Sequence, residues 1–269
     1  MLYHVTRRKG EAMRIWYEFP RPSAGAEGFY DRLKANWRRL GRSDSELVIK
    51  APTIGTREFR YSIVGHMYAD MLRTIEMVEG VLQAEREGYD AAVIGCFGDP
   101  GMDVVENLVD IPITGPAKAA IMVAQAMGTR MAFVTLPHWE KKIEKMVSSY
   151  GVQNLTIASR PCRPFDLPLE EFIDENKVID NFFEVAKTAI CDGADVIILA
   201  CVNTSTLLTY KEINNVEGVP IVDGAMAALK VAEMLVDWKR AGLWKTRRTI
   251  PEDVKEGLRR GYYHGSVSV

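Results

Sequence analysis

The chain has no run of about 18 apolar residues, the length a helix needs to cross a bilayer. Its first twelve residues, Met1 to Ala12, carry Arg7, Arg8 and Lys9 where a secretory leader would need an apolar stretch. A cytoplasmic location is expected, with no membrane partner. Excess charge of one sign is missing too: 34 Lys and Arg stand against 36 Asp and Glu, so no basic surface argues for nucleic acid. A small-molecule substrate is the expected partner. Cysteines number four in 269 residues, widely and irregularly spaced, which excludes the disulfide framework of a small secreted domain and reads as free thiols. The absence of Cys-x-x-Cys argues against a thiol redox protein. The histidines, His4, His66, His138 and His264, show no metal-ligand spacing, and no metal is expected. Gly95 and Gly98 do not continue into a dinucleotide or P-loop pattern, so phosphate loops are missing as well.

What is present is alternation. Short apolar runs (Arg14 to Tyr17, Glu46 to Ile49, Ala91 to Gly95) are separated by longer amphipathic ones (Glu27 to Leu40, Ile63 to Glu87), with Val104 to Val109 following the third run after a turn. This is the βαβ rhythm of a parallel sheet covered by helices. The rhythm then restarts: a strand at Met131–Leu136, a helix at His138–Tyr150, a strand at Leu155–Ala158, a long helix at Leu169–Cys191 and a strand at Val196–Ala200 are predicted. The restart is a diverged repeat. Gly88 to Cys96 aligns with Gly193 to Cys201, bringing Asp90 onto Asp195 and Cys96 onto Cys201; downstream, Ile111-Pro112-Ile113 aligns with Val219-Pro220-Ile221. The expected fold is α/β, with two pseudo-symmetric Rossmann-like lobes, each a parallel sheet flanked by helices, and an active site in the cleft between them. The expected division is an extension over 1–12, a first lobe over 13–114 plus 222–269, and a second over 115–221.

Ligands bind beyond the carboxyl ends of parallel strands, and Cys96 and Cys201 each end a strand. In the first segment, Gly95-Cys96-Phe97-Gly98-Asp99-Pro100-Gly101, Asp99 is expected to cap the next helix and Pro100 to open it. In the second, Ala200-Cys201-Val202-Asn203-Thr204-Ser205, hydroxyl and amide side chains are available for the same task. A helix N-terminus behind a thiol favours the thiolate, lowering its pKa toward neutrality, and its free N–H groups can stabilise an enolate. A racemase needs an acid and a base on opposite faces of one carbon, and two thiols across a cleft meet that need. Cys162, in the loop Pro161 to Pro164, and Cys191, near a helix end, read as structural or incidental.

With these segments in place the sequence resembles the aspartate/glutamate/hydantoin racemase superfamily, above all its hydantoin racemase branch. Gly95 to Gly101 is similar to the branch's first catalytic-cysteine motif, Cys201 takes the place of the second cysteine, and Pro220-Ile221-Val222-Asp223-Gly224 is similar to the strand and turn that follow. The resemblance implies a cofactor-independent isomerase in which Cys96 and Cys201 exchange a proton at one stereocentre, that of a 5-substituted hydantoin or related compound. It also implies substrate contacts from Phe97, Gly98, Asp99, Val202, Asn203 and Thr204, from Pro20 and Ser23 after the first strand, and from Thr53 and Thr135 at strand ends. A homo-oligomer is expected.

The chain departs from the branch in two places: Glu18 to Ser23 replaces an Asn-Pro-Asn-Thr/Ser turn, and Val202-Asn203-Thr204 replaces a small Ala-Gly pair. The second departure approaches the amino-acid racemases, maleate cis-trans isomerases and arylmalonate decarboxylases of the superfamily. Cys96 argues against the decarboxylases, which lack a thiol at the first site. Arg21 and Arg57 are candidate carboxylate clamps, although ordinary surface arginines are the commoner case. A non-enzymatic two-lobed binding protein is the alternative of another class.

Overall fold

The computed structural model describes residues 12–20, 27–51, 66–244, 250–251 and 253–257. The expectations for residues 1–11, Arg21, Ser23, Thr53 and Arg57 lie outside these, as does most of the tail from Lys245.

Two sheets form. The first has the order β2-β1-β3-β4, from β1 (Met13–Glu18), β2 (Ser45–Lys50), β3 (Ala91–Ile94) and β4 (Ile113–Thr114). The second has the order β6-β5-β7-β9-β8, from β5 (Met131–Thr135), β6 (Cys162–Pro164), β7 (Val196–Leu199), β8 (Asn215–Val216) and β9 (Val219–Asp223). All pairings are parallel except the short β8–β9 hairpin. Helices α1 (Glu27–Leu40), α2 (Met67–Arg86), α3 (Met102–Val105), α4 (Pro116–Met127), α5 (Glu140–Ser149), α6 (Glu175–Cys191), α7 (Val202–Tyr210) and α8 (Gly224–Arg240) connect them.

Successive residues of a strand face opposite sides, and here both sides are buried. That is why β3 and β7 are continuous apolar runs rather than alternating ones. Met13, Ile15 and Tyr17 of β1, Val93 of β3, Met131 and Phe133 of β5, and Ile198 of β7 point into one central core that they share with α4 and α8. The intervening residues, such as Trp16 and Ile94 or Val134 and Leu199, pack outward under α2 and α6.

The repeat recurs in atomic detail. Asp90 exchanges hydrogen bonds with the backbone of Arg14, and Asp195 does the same with Arg130. The register Tyr17↔Val93 in the first sheet therefore corresponds to Phe133↔Ile198 in the second.

The second half departs from the sequence reading at three points. Leu155–Ala158 is not a strand: it holds the end of a 3-10 turn and one bridge, Thr156 to Met131. The chain leaves the sheet through Arg160, at φ 45, and the strand beside β5 is instead Cys162–Pro164, which had read as a loop. An edge strand tolerates the flanking prolines, and Arg163 anchors it by bonding to Thr188 Oγ1 (2.8 Å) and to Asp192. The long helix 169–191 is broken at Asp174, whose carboxylate accepts from the amides of Asn176 and Lys177 and starts α6 afresh. The run 104–109 yields only the last residues of α3 and a turn.

Candidate active site

Beyond Ile94 the chain tightens: the Cys96 amide donates to the Ile94 carbonyl (2.9 Å), and the Asp99 amide donates to that of Cys96 (3.0 Å). Asp99 and Gly101 then take positive φ, 43° and 75°. The expectation that Asp99 and Pro100 open a helix behind Cys96 is not met. The helix that follows, α3, has four residues, and its N-cap is Gly101 without a side-chain bond. Cys96 consequently has no helix of useful length behind it. Burial raises its thiol pKa, the reverse of the lowering expected from sequence. Lys142, the Gly98 amide and Arg73 pull it back, and Asp99 adds to the rise.

The Asp99 carboxylate caps a different helix. It accepts from the amides of Ala117 (3.0 Å) and Lys118 (2.8 Å), the second and third residues of α4, and from the Tyr150 hydroxyl (2.8 Å). Burial pushes this carboxyl up to about 6, against the pull of those three donors. In the second half the same two helix positions are filled by a residue of the strand itself: Asp223, the N-cap of α8, accepts from Ala225 (2.9 Å) and Met226 (3.4 Å). Asp223 also receives the Ser205 and Thr209 hydroxyls, each at 2.8 Å, and burial raises its pKa. The position equivalent to Asp223 in the first half is Gly115, and a Cβ there would overlap the Asp99 carboxylate. Each half thus places one carboxylate on the helix after its Pro-Ile strand, but from different points of the chain.

Cys201 is itself the N-cap of α7. Its carbonyl accepts from the Ser205 amide (2.9 Å) and the Thr204 hydroxyl (3.1 Å). Asn203, expected near the substrate, turns to α1, where its Oδ1 accepts from Arg32 (3.0 Å), and Arg32 also holds Glu175 (2.9 Å). Val202 belongs to the central core. Phe97 is buried against Gly224, where a Cβ would come within 3.1 Å of its ring. Gly98 faces Lys142, whose ammonium bonds to Asp70 (3.1 Å) and lies 4.4 Å from the Trp139 ring centroid.

Thr135 ends β5 at 0% exposure, and its Oγ1 has no hydrogen-bond partner among the described residues. Pro20 follows β1 and is half-buried.

Tyr17 was not anticipated. It is fully buried, and its hydroxyl also has no hydrogen-bond partner among the described residues. Burial, then the charges of Asp223, Cys96, Cys201 and Asp99, raise its pKa well above the ordinary value. Both thiols and both capping carboxylates therefore act electrostatically on this one hydroxyl. The sequence held a signal for it, since aligning the repeat at the strand registers sets Tyr17 against Phe133, a pair that differs by the hydroxyl. The residue-by-residue match of the repeat lies in the later strands, so the pair at Tyr17 and Phe133 stands outside it.

Of the remaining cysteines, Cys162 is buried in β6 with its thiol pushed up to about 12, by burial and then by Glu144 and Glu140. Cys191 is exposed at the end of α6.

The chain matches the Asp/Glu/Hydantoin racemase family model over residues 23–232. It is 30% identical to a hydantoin racemase of Pseudomonas sp. (strain NS671) over 202 residues, 74% of this chain and 78% of that one. It is 33% identical to a hydantoin racemase of Paenarthrobacter aurescens over 178 residues, 65% and 74% of the two chains. Among solved structures, allantoin racemase from Klebsiella pneumoniae superposes with a TM-score of 0.72 at 25% identity, covering 85% of this chain and 89% of that one.

Proposed function

We propose, from the premise that the chain belongs to the Asp/Glu/hydantoin racemase family and is an isomerase of the racemase type, that it racemises 5-substituted hydantoins. The reaction runs without a cofactor, by proton transfer between Cys96 and Cys201. The supporting observation is that thiols at repeat-related strand ends both act on the one buried hydroxyl of Tyr17. Repeat-related positions beyond the carboxyl ends of parallel strands support a common space between them.

One cysteine, as thiolate, takes the proton from C5. The C–H electron pair moves into the adjacent carbonyl, and negative charge collects on its oxygen. The other cysteine, as thiol, delivers its proton to the opposite face of C5. The ring leaves inverted, the two thiols have exchanged protonation states, and the opposite enantiomer runs the sequence in reverse. Lys142, Arg73 and the Gly98 amide favour charge on Cys96. Cys201 is the N-cap of α7, whose free N–H groups can hold an anionic oxygen of the substrate.

The ring substrate is favoured over an acidic amino acid by charge. Lys142 and Arg73, the cations acting on Cys96, both bond to Asp70. Asp99 and Asp223, whose charges raise the Tyr17 pKa, oppose a second anion near that hydroxyl.

The test is to incubate the protein with one enantiomer of a 5-substituted hydantoin in deuterated water. Loss of optical rotation with deuterium entry at C5 is expected, and Cys96→Ser and Cys201→Ser should each lower the racemisation rate by roughly 100-fold or more. A serine variant racemising at the wild-type rate removes the two-thiol scheme. No exchange with any hydantoin, allantoin or amino acid removes the racemase reading of this site.

A further inference from the structure

Tyr17 is a tyrosine where packing asks only for phenylalanine. Its position on β1 corresponds to Phe133 on β5, and both rings enter the same central core at 0% exposure. Room for the ring is made by Gly95, immediately before Cys96. A Cβ at 95 would overlap the Tyr17 ring and lie 2.5 Å from the Glu18 carbonyl. The repeat counterpart of Gly95 is Ala200, which keeps its Cβ beside the other cysteine. The chain thus departs from its own symmetry twice at one spot, with a glycine that admits a ring and a hydroxyl that the symmetry-related ring lacks.

That hydroxyl bonds to nothing among the described residues, although Cys96, Cys201, Asp99 and Asp223 all act on it. Buried polar groups are almost always paired. One left unpaired on the next-to-last residue of a parallel strand, close to the end where ligands bind, is a donor awaiting an acceptor.

We propose that the Tyr17 hydroxyl donates a hydrogen bond to a carbonyl oxygen of the molecule bound between Cys96 and Cys201. Resting on the racemase reading above, this makes Tyr17 a catalytic residue, since the oxygen it meets is the one on which charge collects as C5 loses its proton. Burial and the surrounding negative groups keep the phenol protonated, so it remains a donor throughout the working range. A donor fixed before the reaction stabilises the enolate more than the neutral carbonyl, so its contribution belongs to the chemical step.

The test pairs the Tyr17→Phe variant with protein carrying tyrosine labelled with carbon-13 at Cζ, the carbon bearing the hydroxyl. Phenylalanine already fills the equivalent place in the other half, so the variant is expected to fold with an unchanged circular dichroism spectrum. On a 5-substituted hydantoin, kcat should fall roughly 100-fold with KM little changed. The Tyr17 Cζ resonance, identified by its absence from the variant, should shift when wild-type protein is saturated with unsubstituted hydantoin. A variant within two-fold of wild-type kcat overturns the proposal and leaves the racemase reading standing, and a slow variant beside an unmoved resonance marks a structural role and overturns it too. Should wild-type protein racemise nothing, a resonance that still moves with hydantoin or a dicarboxylate upholds Tyr17 as a ligand donor while removing the racemase reading. An unmoved one then removes both.

Discussion

Asp99 is an acid where burial opposes its charge, and that fixes a pH dependence. Its folded pKa of about 6 lies above the ordinary 3.8, so the folded state holds the proton more tightly than the unfolded chain does. The associated stability is fully present below about pH 4 and is lost as pH rises through about 6. A rise of about two units corresponds to about 3 kcal/mol. Asparagine cannot titrate, so Asp99→Asn isolates the effect. The stability of wild type minus that of the variant, from urea unfolding, should fall by about 2–3 kcal/mol between pH 4 and pH 7. A flat difference contradicts a raised carboxyl. A second single-residue prediction concerns Gly95. Alanine there meets the Glu18 carbonyl, a backbone atom that cannot move aside cheaply. Gly95→Ala should cost about 1–3 kcal/mol by overpacking and lower turnover by displacing Tyr17, measured by urea unfolding alongside optical rotation.

At the scale of elements, the two carboxylate caps give a sharper test than either acid alone. Asp99 serves the amides at the second and third positions of α4 from a distant turn, because Gly115 leaves the space that Asp223 fills in the other half. Asp99→Gly removes the cap without straining the backbone, since position 99 has φ 43 and glycine accepts that conformation. Gly115→Asp alone drives one carboxylate into another. Together the two changes return a carboxylate to the N-cap of α4 in the manner of α8. In a double-mutant cycle the pair should therefore be more stable than the sum of the single changes allows, by at least about 1 kcal/mol. Additivity would mean that Asp99 does not act as the cap. This exchange also shows where the sequence stopped being legible. Strand and helix order, the repeat and the cysteine positions follow from local apolar periodicity, and α1 spans 27–40 as its pattern predicts. Asp-Pro-Gly after Cys96 carries every local mark of a helix start, yet the helix it caps begins seventeen residues later in the chain, at Pro116. Edge strand β6 was illegible for a related reason: three residues, the last of them Pro164, have no period, and their pairing depends on Arg163 reaching Asp192 and Thr188.

For the whole molecule, the central core decides how the two sheets respond to stress. Met13, Ile15 and Tyr17 from the first sheet and Met131, Phe133 and Ile198 from the second belong to one buried cluster with α4 and α8. Helix α1 crosses to α7 through Asn36, which is 1% exposed and donates to the Thr206 carbonyl at 3.0 Å. Neither sheet can be exposed on its own without opening that cluster, so the chain should unfold as one unit. Trp16 and Trp37 report from the first sheet and its helix, and Trp139 reports from beside β5. In urea, tryptophan fluorescence and far-ultraviolet circular dichroism should therefore give coincident midpoints. Asn36→Ala breaks the link by removing a buried hydrogen bond, at a cost of about 0.5–1.5 kcal/mol. Both midpoints should move down together, because the lost bond joins parts that unfold together. Two separated transitions, or a shift confined to one probe, would show that the sheets are held independently. The thiols on their two strand ends would then lack the common frame that a shared proton path requires.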